Sequence, residues 1–278
     1  MTSTKILLRT VIIDTKKWKK PLTSNDQNLG APYLVIEHLA ASYNHLQILQ
    51  DVSLQIWRQQ VVAIVGPNGA GKTTVLKAVG GLLRPVSGKI LLDGEDIAAL
   101  PVWEVVRRGV VYVPEGTNVF PEMSVLENLE IGGYLNRSRI QENLQFVYQL
   151  FPELSLKQKT MAGNLSGGQQ RMVVLARGLM AGSKILLLDD PFLGLSPKYV
   201  KIFCDIFRTL RRQGMTLFLS GQHVRRILNV ADLAFLIEGG EITLTGSGPE
   251  LLNNHHLQYT LFGIESTCEL GEALHEEN

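Results

Sequence analysis

Residues 61–74 read VVAIVGPNGAGKTT: an apolar run, a glycine-rich turn, and a Lys-Thr-Thr that opens a helical pattern. The run has no polar alternation, as expected of a strand buried on both faces. GPNGAGKTT, residues 66–74, satisfies G-x-x-x-x-G-K-[ST] in the strand–loop–helix setting that motif needs. Glycines 66, 69 and 71 let successive backbone N–H groups point into one concavity, and the helix opening near Lys72 adds the positive end of its dipole. The loop Gly66, Pro67, Asn68, Gly69, Ala70 and Gly71 is therefore the candidate phosphate cradle. Lys72 is expected to reach the terminal phosphates of ATP, Thr73 to ligate Mg²⁺, and Thr74 to touch the α-phosphate. On ordinary residue frequencies such a match arises by chance on the order of once per hundred chains of this length.

A second strand, ILLLDDP at 185–191, ends in two acids. In a phosphate-loop nucleotidase a strand beside the cradle supplies an acid to the Mg²⁺, the role that fits Asp189. Asp190 stands where a carboxylate orients or activates the attacking water.

The surroundings are those of an α/β protein. The chain has 278 residues, 45% hydrophobic and 19% charged, which is material for one domain with a real core. A net charge of +1 gives no reason to expect nucleic acid. Cys204 and Cys268 are too few for a disulfide framework or a zinc site, which fits a reducing compartment. No apolar run approaches the ~20 residues of a membrane span. A membrane role must come through a partner.

From Tyr33 onward strand and helix patterns alternate. Val52, Leu54 and Ile56 share one side of a period-two segment, and KILLDG (89–94) and GVVYV (109–113) read as further strands. Ser124 and Glu127 fit a capping box, and Ile140, Leu144, Val147 and Phe151 lie on one helical face. Gly239-Gly240 reads as a two-residue hairpin turn. Residues 1–32, with the basic knot of Lys16, Lys17, Trp18, Lys19 and Lys20, read as a flexible tail, as do residues 264–278.

LSGGQQ at 165–170, together with GPNGAGKTT and ILLLDDP in this order and spacing, resembles the ATP-binding subunits of ABC transporters across about residues 33–263. The string from Tyr112 to Leu129 and the passage DPFLGLSPKYV are most similar to the smaller ATPase subunit of branched-chain amino-acid importers. The resemblance implies a P-loop NTPase core of mixed or parallel sheet and helices. It adds an antiparallel β subdomain and a helical subdomain inserted over about residues 116–180.

It also implies roles. Leu165, Ser166, Gly167, Gly168 and Gln169 would clamp the γ-phosphate of ATP held by a second ATPase subunit, and Tyr43 would stack on adenine. Glu115 stands where the superfamily usually has Gln, beside the Mg²⁺ or water. Implied partners are membrane permeases, an identical or different second ATPase, and indirectly an extracytoplasmic solute-binding protein, with no nucleic acid. The implied place is the cytoplasmic face of the plasma membrane, peripherally. Phe120, Pro121, Met123 and Val125 are candidate exposed contacts to the permease.

Two departures bear on the chemistry. The family's catalytic base is normally Glu, here Asp190, whose shorter arm withdraws the carboxylate by ~1.5 Å. A misplacement of ~1 Å can cost about a hundredfold in rate, so a slow site with ordinary ATP binding is expected. The usual switch histidine is replaced by Gln222, with His223 one place later as a substitute candidate. A weakly hydrolysing regulatory subunit and a soluble ATP-driven switch on ribosomes or DNA are the rival readings.

Overall fold

The computed structural model describes residues 30–262. The Lys16–Lys20 cluster, Trp18, Cys268 and most of both expected tails lie outside the described residues. Ten strands run in chain order: β1 Leu34–Tyr43, β2 Leu46–Ile56, β3 Val61–Val65, β4 Ser87–Leu92, β5 Glu95–Asp96, β6 Val110–Val113, β7 Ile185–Asp189, β8 Thr216–Ser220, β9 Leu233–Glu238 and β10 Glu241–Gly246. The helices are α1 Lys72–Val79, α2 Val102–Arg107, α3 Val125–Gly132, α4 Ile140–Leu150, α5 Pro152–Leu156, α6 Gly167–Met180, α7 Pro197–Arg212, α8 Val224–Leu228, α9 Gly248–Leu252 and α10 His255–Phe262.

The sheet order is β5-β4-β1-β2-β10-β9-β3-β8-β7-β6. Strands β9, β3, β8, β7 and β6 are parallel neighbours, while β1, β2, β4 and β5 pair antiparallel. The two parts meet where Glu241 of β10 pairs with Asp51 of β2. This is the expected mixed α/β architecture.

Burial on both faces explains the unbroken apolar strands. Val62 and Ile64 of β3 face one core, shared with α1 and the antiparallel strands. Val61, Ala63 and Val65 face the other, shared with α6, α7 and α8. Helix α1 is thus held between the two parts of the sheet, with Val75, Leu76 and Val79 buried. Helix α7 buries Val200, Phe203, Phe207 and Leu210 and leaves Lys198, Lys201, Arg208 and Arg212 in solvent. Emptying the fully buried Phe207 position by Phe→Ala would cost about 3–5 kcal/mol.

Helices α3 to α6 lie between β6 and β7. Leu144, Val147 and Phe151 are buried in the same core as Ala63 and Leu188, with Ile140 partly buried beside them. The capping box forms: Ser124 Oγ accepts from the Glu127 N–H, and the Glu127 carboxylate accepts from the Ser124 N–H at 2.7 Å. The β9–β10 turn places Gly239 and Gly240 at φ 56° and 84°, the left-handed pair a tight hairpin needs.

One expectation is corrected here. Val125 is fully buried, because as the first residue of α3 it turns into the core shared with α6. Phe120 and Pro121 are exposed as expected, and Met123 is partly so.

Candidate nucleotide site

Parallel pairing brings the carboxyl ends of β3, β7 and β8 side by side: Ile64 pairs with Ser220, which pairs with Asp189. The loops leaving such ends form the usual ligand crevice of parallel sheets. A cleft of about 300 Å³ opens there. Asn68, Gly69, Gly71, Lys72, Thr73 and Thr74 line one side of it. Asp189, Asp190, Glu115 and Gln222 face them, and Tyr43, 40% exposed, stands at the edge. Three lining residues, Ile48, Ser220 and Gly221, carried no motif.

Of the remaining cradle residues, Gly66, Pro67 and Ala70 do not line the cleft. Gly66 is dictated by close approach: a Cβ there would stand 2.2 Å from the Ile237 carbonyl oxygen of β9. Gly71 precedes α1 at φ 108°, a conformation that L side chains rarely adopt. Lys72 is 8% exposed, and its Nζ donates to the Gly66 and Pro67 carbonyls at 2.8 Å each. Burial lowers its pKa, while Asp190 and Asp189 pull it back up.

The two acids are placed differently. Asp189 is 4% exposed, and its carboxylate accepts hydroxyl donors from Thr73, Ser220 and Tyr112. Among the described residues the Asp190 carboxylate accepts only from the Gln222 N–H, at 3.2 Å through Oδ2, while its buried Oδ1 has no partner there. It sits at φ 39°, in the left-handed region. Phe192, two residues on, is fully buried with its ring 5.8 Å from that of Phe207, which pins the turn leaving β7. Burial raises the Asp190 pKa, against the Gln222 N–H and His223.

The donor set fits Mg²⁺. A hard cation of this kind takes a carboxylate and a hydroxyl together with substrate phosphates, which Asp189 and Thr73 offer across one cleft. Glu115 lines the same cleft, is exposed, and has no hydrogen-bond or ion-pair partner for its carboxylate among the described residues. No group of three or more His, Cys, Asp or Glu among those residues is arranged to hold a metal unaided.

Arg171 of α6 belongs to none of the sequence motifs. It is 3% exposed and donates to four main-chain carbonyls: Pro114 and Gly116 at the Glu115 loop, and Asp189 and Asp190 at the end of β7. One guanidinium thereby ties α6 to both acid-bearing segments.

Ser166 is exposed at the tip of α6, outside this cleft. Its Oγ accepts from the Gln169 N–H, and the Gln169 Oε1 accepts from the Ser166 N–H at 3.1 Å. Gly167 is exposed and Gly168 half-buried. Leu165 is buried, so its side chain faces the core, and the Gln169 side chain bonds to the cap and to Glu153. His223 immediately precedes α8 and does not line the cleft, but its charge acts on Asp190.

A family model described as ABC transporter matches residues 49–193. The high-affinity branched-chain amino acid transport ATP-binding protein BraG of Pseudomonas aeruginosa is 36% identical over 231 residues, 83% of this chain and 99% of that protein. The lipopolysaccharide export system ATP-binding protein LptB of Haemophilus influenzae is also 36% identical, over 83% of this chain and 97% of its own length. Among solved structures, the ADP conformation of MJ1267, an ATP-binding cassette of an ABC transporter, superposes with a TM-score of 0.75 at 25% identity, covering 84% of this chain and 100% of that one. With a phosphate cradle facing two strand-end acids and a serine-led helix tip exposed elsewhere, this chain belongs to the ABC transporter family, as one of its ATP-hydrolysing ATP-binding subunits.

Proposed function

We propose that the chain binds ATP with Mg²⁺ in this cleft and, paired with a second ATPase subunit, energises an importer of branched-chain or other neutral amino acids. The observation that carries the pairing is the split between the cleft and the exposed Ser166 tip, which lies outside it. A γ-phosphate in the cleft would meet a helix tip of this kind only from another subunit. The amino-acid assignment rests on BraG and on the probable branched-chain amino acid transport ATP-binding protein LivF of Archaeoglobus fulgidus, 36% identical over 81% of this chain and 97% of its own.

In this reading the N–H groups of the Gly66–Gly71 loop cradle the phosphates, Tyr43 stacks on adenine, and Lys72 leaves its two carbonyls for the terminal phosphates. Thr73, Asp189 and Glu115 would hold Mg²⁺, which neutralises charge on the phosphoryl oxygens. Asp190, whose side chain lines the cleft, takes the proton of the attacking water, and the Gln222 side chain orients the γ-phosphate or the water. The partner's Ser166, Gly167 and Gly168 close the site from the other side.

No helix among the described residues is long and apolar enough to cross a membrane. In this reading attachment to the cytoplasmic face runs through permeases. Exposed Phe120 and Pro121, with Met123 and Met161 beside them, form the apolar contact on the helical insert of residues 116–180. The similarity to LptB favours one second reading, the energising of export.

Disrupting the gene and measuring leucine uptake separates the two: lost uptake supports the importer, while normal uptake with lost surface lipopolysaccharide transfers the assignment to export. In purified protein, Lys72→Ala must abolish ATP-dependent pairing. Pairing and affinity that survive it would refute the nucleotide reading.

A further inference from the structure

The three hydroxyls on Asp189 come from three different elements. Thr73 of α1 and Ser220 of β8 both donate to Oδ1, whereas Tyr112 of β6 donates to Oδ2 at 2.9 Å. Among the described residues Oδ2 has no other donor. The carboxylate is buried yet forms no ion pair there: Lys72 is held by carbonyls, and Arg171 grips the main-chain oxygen of Asp189. A carboxylate oriented by neutral donors alone keeps its whole charge for a cation arriving from the cleft.

Tyr112 is half-buried on β6, and its phenol oxygen donates to the carboxylate from the strand beside β7. Its backbone comes close to the end of α1, where a Cβ on Gly80 would stand 3.2 Å from the Tyr112 Cβ. Two residues further on, Pro114 opens the loop that carries Glu115, and Arg171 fastens that loop to the Asp189 and Asp190 carbonyls. Phenol, loop and acids are tied at three points.

We propose that Tyr112 is a positioning residue for the metal-binding carboxylate: its hydroxyl fixes Oδ2 of Asp189 and makes the carboxylate's posture follow the strand that leads into the Glu115 loop. This rests on the reading of Asp189 as a Mg²⁺ ligand. Thr73 and Ser220 share one oxygen, so removal of Ser220 leaves that oxygen held. Removal of the Tyr112 hydroxyl leaves Oδ2 with nothing, and the group turns about its terminal bond.

The test is a Mg²⁺ titration of fluorescent ATP-analogue binding to the full chain. Tyr112→Phe deletes one oxygen and is expected to raise the Mg²⁺ requirement by about tenfold, the usual loss for an outer partner of a metal ligand, with affinity in EDTA unchanged. Ser220→Ala is expected to shift it less. A wild-type Mg²⁺ midpoint in Tyr112→Phe, alongside a shifted midpoint in Asp189→Asn, overturns the inference and leaves the metal site standing. A wild-type midpoint in Asp189→Asn removes the metal reading and the inference together. Equal loss of affinity with and without Mg²⁺, or a larger effect from Ser220→Ala, makes Tyr112 a packing residue and overturns the inference.

Discussion

The ring of Tyr199, on α7, fills the space beside Gly168 of α6 that any side chain would need: a Cβ on Gly168 would lie 2.4 Å from ring atoms Cδ2 and Cε2. The same ring brings its hydroxyl to 3.5 Å from Ser166 Oγ. Gly168 is thus small because of a packed neighbour, and that neighbour stands at the exposed tip of α6. Overpacking of this kind costs about 1–3 kcal/mol. Gly168→Ala is expected to cut assembled ATPase turnover while leaving nucleotide affinity of the separate chain unchanged. Adding Tyr199→Ala should restore part of the loss. Failure of that second change to restore anything would show that the ring is not the obstacle.

Asp190 reaches less far than Glu, and its Oδ1 is buried without a partner among the described residues. Lengthening the arm by one methylene is expected to raise turnover by up to about a hundredfold. Affinity should stay the same. Asp190→Asn should remove the activity. Steady-state phosphate release from the assembled complex checks both, and an Asp190→Glu protein no faster than wild type would end the short-arm account.

Arg171 donates to four carbonyls from two segments, so its loss removes a donor from each, although Asp190 keeps the Leu193 N–H. Burial lowers its pKa, with Asp190, Glu115 and Asp189 opposing, which means the charge is held against a desolvation penalty. The stranded acceptors decide the balance, since each unpaired buried polar group costs about 1–3 kcal/mol. Arg171→Met is expected to lower the melting temperature by about 6–12 °C, taking about 3 kcal/mol at 2–4 °C each. Arg171→Lys, which cannot fork, should fall between. A melting temperature unchanged in the Met protein would contradict this.

Glu238 ties α10 to the β9–β10 hairpin, accepting from Thr243, from His256 at 2.8 Å and from Thr260 at 3.2 Å. Burial opposes its ionisation, but these donors outweigh burial and hold its pKa below the ordinary value. The stabilisation is therefore present above the unfolded pKa of about 4.3 and is lost as pH falls through the lower folded value. Because the group is largely solvent-screened, its share is below about 1 kcal/mol. Glu238→Gln should melt lower than wild type at pH 7, by a margin that shrinks as the pH falls toward 3. A gap that persists unchanged at pH 3 would show that ionisation is not its source.

Much of this was legible along the chain because it is short-range. The cradle, the strands VVAIV and ILLLDDP, the Ser124 cap and the Gly239-Gly240 turn each declare themselves within a few residues, since backbone conformation and burial period are local properties. The burial of Val125 was misread for the opposite reason. Ser124 and Leu126 on either side of it are only half-buried, and the packing of α3 on α6 turns Val125 fully inward.

By itself, the sequence determined that a phosphate-binding loop, a pair of strand-end acids and a serine-led helix exist, and the family to which they belong. The tertiary structure alone decided which side chains hold them. Thr73 and Tyr112 reach Asp189 across 116 and 77 residues of chain, Arg171 spans two loops, and Tyr199 sets the size of residue 168. No local pattern encodes such contacts, because they arise from the order in which parallel strands are laid side by side, and that order is written only in the packing of the whole sheet.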